Sequence, residues 1–442
     1  MTAFAGNSTP MSVLRSCRTR PFWTTAVDVI AILLALSLPW STSLVGLFGF
    51  LLLIAMVPLL EVESFLQSLK RPIAFLPIAF LLLALVGTLW SEAPWGERLY
   101  AVFPAGKLLL LPVLFYHFER SERGLLVFAA FLVSCTLLMA ISWITIIAPA
   151  FTLKPDPSRG IFVKNYIDQS QEFALCAVAL AYPVIVLLRA KKIWPALLLS
   201  ALGLSFVVNM AFVIVSRTAL VTIPIMVAVF GLMHLRWRTN VMILCAAILV
   251  AAVAWAASPQ LEWTIKTFSR DYQLYKEHNV PTSIGERLEY WKKSLQFFAE
   301  APVIGHGTGS AKVLFEQAAK GPTWIAGVRV FPNPHNQTLN VAIQWGILGI
   351  GALYAMWLLH LLLFRAEGLA NWIGLLVVVQ NIFTSLFNSH IFDFHEGWMY
   401  VLGVGVAGGM VLKERSEKPK LAELNSLVSA GGMGYQQPEI SS

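Results

Sequence analysis

What most constrains this chain is an alternation. Apolar stretches of about 20 residues, each long enough to cross a hydrocarbon core, are separated by short basic clusters. A soluble fold cannot bury that many apolar faces. Of the 442 residues, 57% are hydrophobic and 13% charged, against about 45–50% and about 25% in ordinary globular domains. The chain therefore reads as an all-α polytopic membrane protein, because in hydrocarbon a helix satisfies every backbone N–H and C=O within its own segment.

About twelve transmembrane helices are expected, over residues 24–40, 42–60, 72–90, 99–117, 124–150, 171–189, 195–215, 218–234, 240–257, 338–364, 370–388 and 398–412. Arg15, Arg18 and Arg20 precede the first stretch as they would in a signal peptide, but the next apolar run follows at once, so the first reads as a retained helix. With the N-terminus cytoplasmic, every inward segment is basic: Lys70 and Arg71, Arg120 and Arg123, Arg189 with Lys191 and Lys192, Arg236 and Arg238, Arg365, then Lys413, Arg415, Lys418 and Lys420. Short outward segments carry fewer cations, chiefly Arg98, Lys154, Arg159, Lys164 and Arg217, which puts both termini in the cytoplasm.

The expected organisation is a cytoplasmic N-terminal segment (1–23), transmembrane helices one to nine (24–257), an outward loop domain with an amphipathic helix (258–337), the last three helices (338–412) and a disordered cytoplasmic tail (413–442). The net charge of +8 lies in inter-helix clusters and not along one face, so no nucleic-acid partner is expected. Cys17, Cys135, Cys176 and Cys245 fall before or inside apolar runs and imply no disulfide framework.

A loop of roughly 80 residues should contain structure of its own. Within it Ser283, Ile284, Gly285 and Glu286 have the form of a capping box, and Leu288, Trp291, Leu295 and Phe298 follow at helical spacing, with Arg287, Glu289, Lys292 and Lys293 off that stripe. Arg287 falls in the first turn, where free N–H groups favour an anion and a guanidinium adds a bidentate donor. The turn Gly305-His306-Gly307-Thr308-Gly309 offers backbone N–H groups that would cradle phosphate or sugar oxygens.

Arg217 sits in a tight junction between two apolar helices, where a cation is costly and usually faces a polar cavity; snorkelling is the alternative. Lys107 poses the same question. Pro332 and Pro334 stiffen the segment that holds His335 at the membrane boundary, where an imidazole exchanges protons near neutral pH. Lys164, Asn165 and Gln169 precede one helix on the outer side, and Asn388, Asp393, His395 and Glu396 join the last two. Asp393, His395 and Glu396 could hold a metal, but their spacing fits no zinc signature, and hydrogen bonding and capping are favoured.

The span plan, the long outward loop, Ser216-Arg217-Thr218, Gly285-Glu286-Arg287 with Trp291, the Gly305–Gly309 turn, and His335-Asn336-Gln337 followed by Gly346-Ile347-Leu348-Gly349 together resemble the O-antigen ligase family, which shares its core with O-antigen polymerases and some protein O-oligosaccharyltransferases. The resemblance covers most of the chain. It implies the C-type membrane glycosyltransferase architecture and a metal-independent inverting glycosyl transfer, with no cofactor, at the periplasmic face of a bacterial inner membrane. The implied donor is a glycan on undecaprenyl diphosphate, and the implied acceptor a sugar hydroxyl of lipid A-core. His335 matches the family's essential loop histidine, and Arg217 and Arg287 its diphosphate-binding arginines. Lys107, Lys164, Asn165, Gln169, Asn336, Asn388 and Asp393 are looser matches as substrate-binding residues.

A transporter of polyprenyl-linked glycans or anionic solutes is the rival from another class. It should place polar residues along both halves of a path and is often built from repeats; here the candidates gather on one side and no internal repeat is seen.

Overall fold

The computed structural model describes residues 20–148, 161–163, 165–278, 280–321 and 330–431. Among them the regular structure is helical throughout. The helices are α1 (Arg20–Ser37), α2 (Thr42–Met56), α3 (Val62–Leu69), α4 (Pro72–Val86), α5 (Trp95–Gly106), α6 (Leu110–Phe118), α7 (Gly124–Ile147), α8 (Tyr166–Ala179), α9 (Ala181–Arg189) and α10 (Ile193–Phe212). They continue as α11 (Arg217–His234), α12 (Trp237–Ala257), α13 (Pro259–His278), α14 (Ser283–Glu300), α15 (Ser310–Ala319), α16 (Gln337–Leu363), α17 (Leu369–Thr384) and α18 (Phe394–Gly431).

Each of the twelve apolar stretches is largely helical among the described residues. By length and composition, seven of the described helical segments are long and apolar enough to cross a membrane, or eight if the α3–α4 pair, bent by 86°, is one broken span. Pro21–Ser37 and Leu369–Thr384 are apolar but shorter. Breaks have local causes: Pro104 lies inside α5, and the chain then tightens into a 3-10 turn over Lys107–Leu109 before α6 resumes. The tail also differs from expectation. The stretch from Glu414, expected to be disordered, continues α18 to Gly431, consistent with its run of Lys, Glu, Ala and Leu.

α18 is the central post, packed along α6 and α17. Its small residues let backbones approach: a Cβ on Gly405 would meet the Leu114 side chain at 2.6 Å, and one on Gly409 would meet Phe118 at 2.5 Å. The expected inward basic residues form one end of the bundle. Arg71 makes a two-pronged pair with Glu119, both at 2.9 Å. Arg120 reaches Ser64, Lys413 pairs with Glu122, and the buried Asp28 accepts from Ser121 and lies 2.7 Å from His117. α16 and α18 run from the opposite, polar end toward this one, where Arg415 donates to the Leu363 carbonyl.

The long loop is organised, as its length demanded. α13, α14 and α15 fill it, and Tyr290, Phe297 and Phe315 form a small core against Ile343 of α16. α14 starts one residue earlier than the capping-box reading: Thr282 is the N-cap, accepting from the Gly285 N–H at 3.1 Å, and Arg287 falls beyond the first turn. Its buried face is Gly285, Glu289, Tyr290, Lys293, Ser294 and Phe297. Of the expected stripe, Trp291 packs against this core, Leu288 and Phe298 are half-buried, and Leu295 is 57% exposed. α14 is thus covered by protein on one side and shows Leu295 on the other.

Candidate functional site

α11 begins at Arg217, immediately after the buried junction Val213 to Ser216. The junction is too short to carry the guanidinium into open water. Arg217 Nη2 lies 3.1 Å from Asp271 Oδ2 on α13, an ion pair the sequence reading missed because Asp271 sat in an unassigned loop. Arg217 and Arg287 line one cavity of about 210 Å³, with Tyr166, Ser216, Trp263 and Ser283. Burial and then the nearby Arg217 charge hold Arg287 below the usual arginine range, with the Tyr166 hydroxyl acting the other way. Among the described residues lining the cavity there are two guanidiniums and no carboxylate, and an anion placed there would relieve the repulsion between them.

His335 occupies a left-handed backbone conformation, φ 54°, which costs of the order of 1–3 kcal/mol for a residue with a side chain. Its neighbours hold it there. The His335 N–H donates to Asn333 Oδ1 at 2.9 Å, and His335 Nδ1 lies 3.1 Å from Asn388 Oδ1, which also accepts from Asn333 Nδ2 at 2.8 Å. An amide oxygen only accepts, so Nδ1 carries the hydrogen and Nε2 keeps its lone pair. Tyr290 and Phe331 stand edge-on to the imidazole at 6.0 and 6.2 Å, and the Tyr290 hydroxyl accepts from the Phe331 N–H at 2.7 Å. Burial, then the Arg287 charge, depress the imidazole pKa below 6.5, against the raising effect of the bond to Asn388.

His335 is not among the residues lining the arginine cavity. α14 connects the two: Arg287 faces the cavity, and Tyr290, three residues on and so on the same helix face, packs against the imidazole.

The glycine turn is a different kind of object from the one its composition promised. Gly305, Gly307 and Gly309 all have positive φ, but their N–H groups are used internally: Gly305 N to Ala301 O, Gly307 N to Gln344 O, and Gly309 N to Gln344 Oε1, at 3.1, 2.9 and 2.8 Å. His306 N and Thr308 N donate to Ile343 O and Gly87 O. None is left for a phosphate. α16 is broken at Gly346 (φ 57°, ψ −148°), and the turn seals the carbonyls that the break releases, while Ile347 N donates to Pro302 O at 2.8 Å. Non-helical backbone at this depth is tolerated because protein covers it. From Gln344 a hydrogen-bond chain runs through Asn340 and Ser389 to Asn333, and so to His335.

The remaining candidates form a second polar group. Asn165 caps α8, accepting from Ile167 N and Asp168 N, and its amide donates to Asp168 Oδ2 at 2.9 Å. Asp168 Oδ2 also lies 2.6 Å from His395 Nδ1. Gln169 is fully buried, and its side-chain amide has no hydrogen-bond partner among the described residues. Asn336 caps α16, accepting from Leu339 N at 3.0 Å. Lys107 donates to the carbonyls of Phe392 and Asp393, so it tethers the α17–α18 loop and is not among the residues lining the arginine cavity. Lys164 lies outside the described residues.

The grouping with metal-like spacing is His390, Asp393 and Glu396, whose ligand atoms fall within 4.8 Å of one another. His395, considered for this role from sequence, is engaged with Asp168 instead. Desolvation raises the Asp393 pKa to about 7, and desolvation lowers that of His390 to about 3. With the Lys107 amine seated on the adjoining carbonyls, a divalent cation there would have to share the pocket with a cationic side chain.

Sequence comparisons bear on the arginine and histidine segments. A similar protein is an uncharacterized protein of Haemophilus influenzae (strain Rd), 26% identical over 143 residues, which are 31% of this chain and 36% of that one. The chain thus covers little more than a third of this curated relative. A family model described as O-antigen ligase matches residues 202–354, a stretch that contains Arg217, Arg287 and His335. That match, over a helical fold with apolar spans, supports an O-antigen ligase family assignment for this segment.

Proposed function

We propose that the protein is an O-antigen ligase that moves a glycan from undecaprenyl diphosphate to a sugar hydroxyl of lipid A-core, at the periplasmic face of a bacterial inner membrane. The observation that carries this reading is the paired arginine cavity, joined through one face of α14 to an imidazole whose Nε2 is free to accept a proton.

In this reading Arg217 and Arg287 hold the diphosphate. As the bond from the anomeric carbon to the phosphate oxygen breaks, its electron pair leaves with the lipid diphosphate, and the two guanidiniums stabilise the growing charge. The acceptor hydroxyl oxygen forms the new bond to the same carbon from the opposite face, and its proton passes to His335 Nε2. General-base help of this kind is worth about 10² to 10⁴ in rate. The depressed pKa suits the task, since at neutral pH the imidazole is in its accepting form. Asn388 positions the ring by taking the Nδ1 hydrogen.

The acceptor is what separates close relatives of this reaction. Purified protein in liposomes, given lipid-linked glycan and one acceptor at a time, should glycosylate lipid A-core. Transfer only onto a second lipid-linked glycan would make it a polymerase, and transfer only onto a serine or threonine a protein glycosylating enzyme.

A further inference from the structure

The first turn of α8 separates two cavities of opposite character. Tyr166 and Ile167 line the arginine cavity. Asn165 and Asp168, their immediate neighbours, line another of about 340 Å³ with Trp40, Thr42 and His395. That volume falls at the small end of the about 300–1,000 Å³ typical of small-molecule sites.

Among the described residues lining this second cavity there is no arginine or lysine, Lys164 falling outside them. The ionisable side chains among them are Asp168 and His395, paired with each other at 2.6 Å. What the cavity has is the chemistry that holds a hydroxylated ring: a fixed aromatic surface with polar groups around it. Trp40 is anchored by its indole N–H, which donates to Ser134 Oγ at 2.7 Å, and by edge contact with Phe162 at 6.4 Å. Asn165 and Asp168 are held by the cap of α8 and by the Asn165 amide, which donates to the Asp168 carboxylate. His395 is bound through Nδ1, and its Nε2, a buried atom, has no hydrogen-bond partner among the described residues. A sugar ring packs its C–H face on such an indole while its hydroxyls exchange hydrogen bonds with the amide, carboxylate and imidazole. His390, on the same loop as His395, feels the charges of Asp168, Arg287 and His335 alike, so this cavity's carboxylate and the transfer residues lie within electrostatic reach of one centre.

We propose that the Trp40–Asp168–His395 cavity binds an uncharged sugar ring of the acceptor, across the first turn of α8 from the arginines that hold the anionic donor. This rests on the transfer reaction proposed above and gives it two separate substrate sites.

The test pairs kinetics with direct binding. Trp40→Ala removes the ring surface, and Thr42→Phe fills the cavity from an exposed position at the start of α2, so the second variant checks the first without opening the core. Each should raise KM for lipid A-core about tenfold or more, with KM for the lipid-linked donor and kcat at saturating acceptor unchanged. Trp40→Phe should restore most of the affinity. An unchanged acceptor KM in both variants, or a shift in donor KM instead, overturns the proposal.

Calorimetric titration of the wild-type protein in nanodiscs with the phosphate-free oligosaccharide released from lipid A-core is read independently of activity. Heat that is lost in Trp40→Ala and kept in Arg217→Ala supports the site even if no transfer is found, in which case the transfer reading alone fails. Heat that survives in both Trp40→Ala and Thr42→Phe sinks the site and leaves the transfer reading standing.

Discussion

The arginine cavity and the glycine turn make an instructive pair. Both carry sequence marks of an anion site: a cation in an apolar junction in one, closely spaced glycines in the other. In the folded chain they part company. Arg217 and Arg287 line one cavity together, whereas the five N–H groups of the turn are all consumed by backbone and side-chain acceptors. Glycine supplies reach and positive φ, and what those are used for depends on which acceptors lie nearby. Here the nearest are the carbonyls freed by the break in α16, so the turn stabilises the scaffold.

Perturbing each region should separate the two roles. Arg287→Ala should lower transfer by about 10² to 10³, the cost of one charge-stabilising donor, while thermal unfolding of the purified protein in detergent stays near wild type. A normal rate in that variant would remove the cavity from the mechanism. Gly346→Ala should do the reverse. Its Cβ would fall 2.5 Å from the Val303 carbonyl carbon at a φ of 57°, and a left-handed alanine alone costs of the order of 1–3 kcal/mol. A lower unfolding temperature is expected; an unchanged one would mean the seal over the α16 break contributes little.

The pH profile sharpens the link between cavity and histidine. Because His335 must be unprotonated to act and its pKa is depressed, the acid limb of wild-type transfer should have its midpoint below pH 6.5. Removing the Arg287 charge removes one of the depressing influences, so the midpoint of the residual activity in Arg287→Gln should move up toward 6.5. An unmoved midpoint would separate the two residues. The smallest effect is expected at the α14 cap, where Thr282→Ala should cost about 1 kcal/mol of stability, read as a modest drop in unfolding temperature.

What could be read from the sequence was what is locally expensive. A guanidinium between two apolar helices needs a polar destination, and a histidine beside two prolines has few conformations, so Arg217 and His335 stood out before any contact was known. Helix existence was legible for the same reason, through the long apolar runs. What stayed hidden depends on partners distant in sequence. Asp271, Tyr290 and Gln344 look ordinary until the fold brings them to Arg217, His335 and the glycine turn. The buried face of α14 was misassigned because it includes Glu289 and Lys293, which a hydrophobicity pattern excludes. The twelve expected spans outnumber the seven or eight described helical segments long and apolar enough to cross, because length and apolarity mark helices and several of those here are short or broken.

The central claim is that His335 removes the acceptor proton while Arg217 and Arg287 hold the donor. The measurement that addresses it most directly is glycan transfer to lipid A-core by His335→Ala in liposomes, with binding of the lipid-linked donor followed in the same preparation. The account predicts that donor binding persists and transfer falls by about 10² to 10⁴. Transfer near the wild-type rate with the donor bound would contradict it.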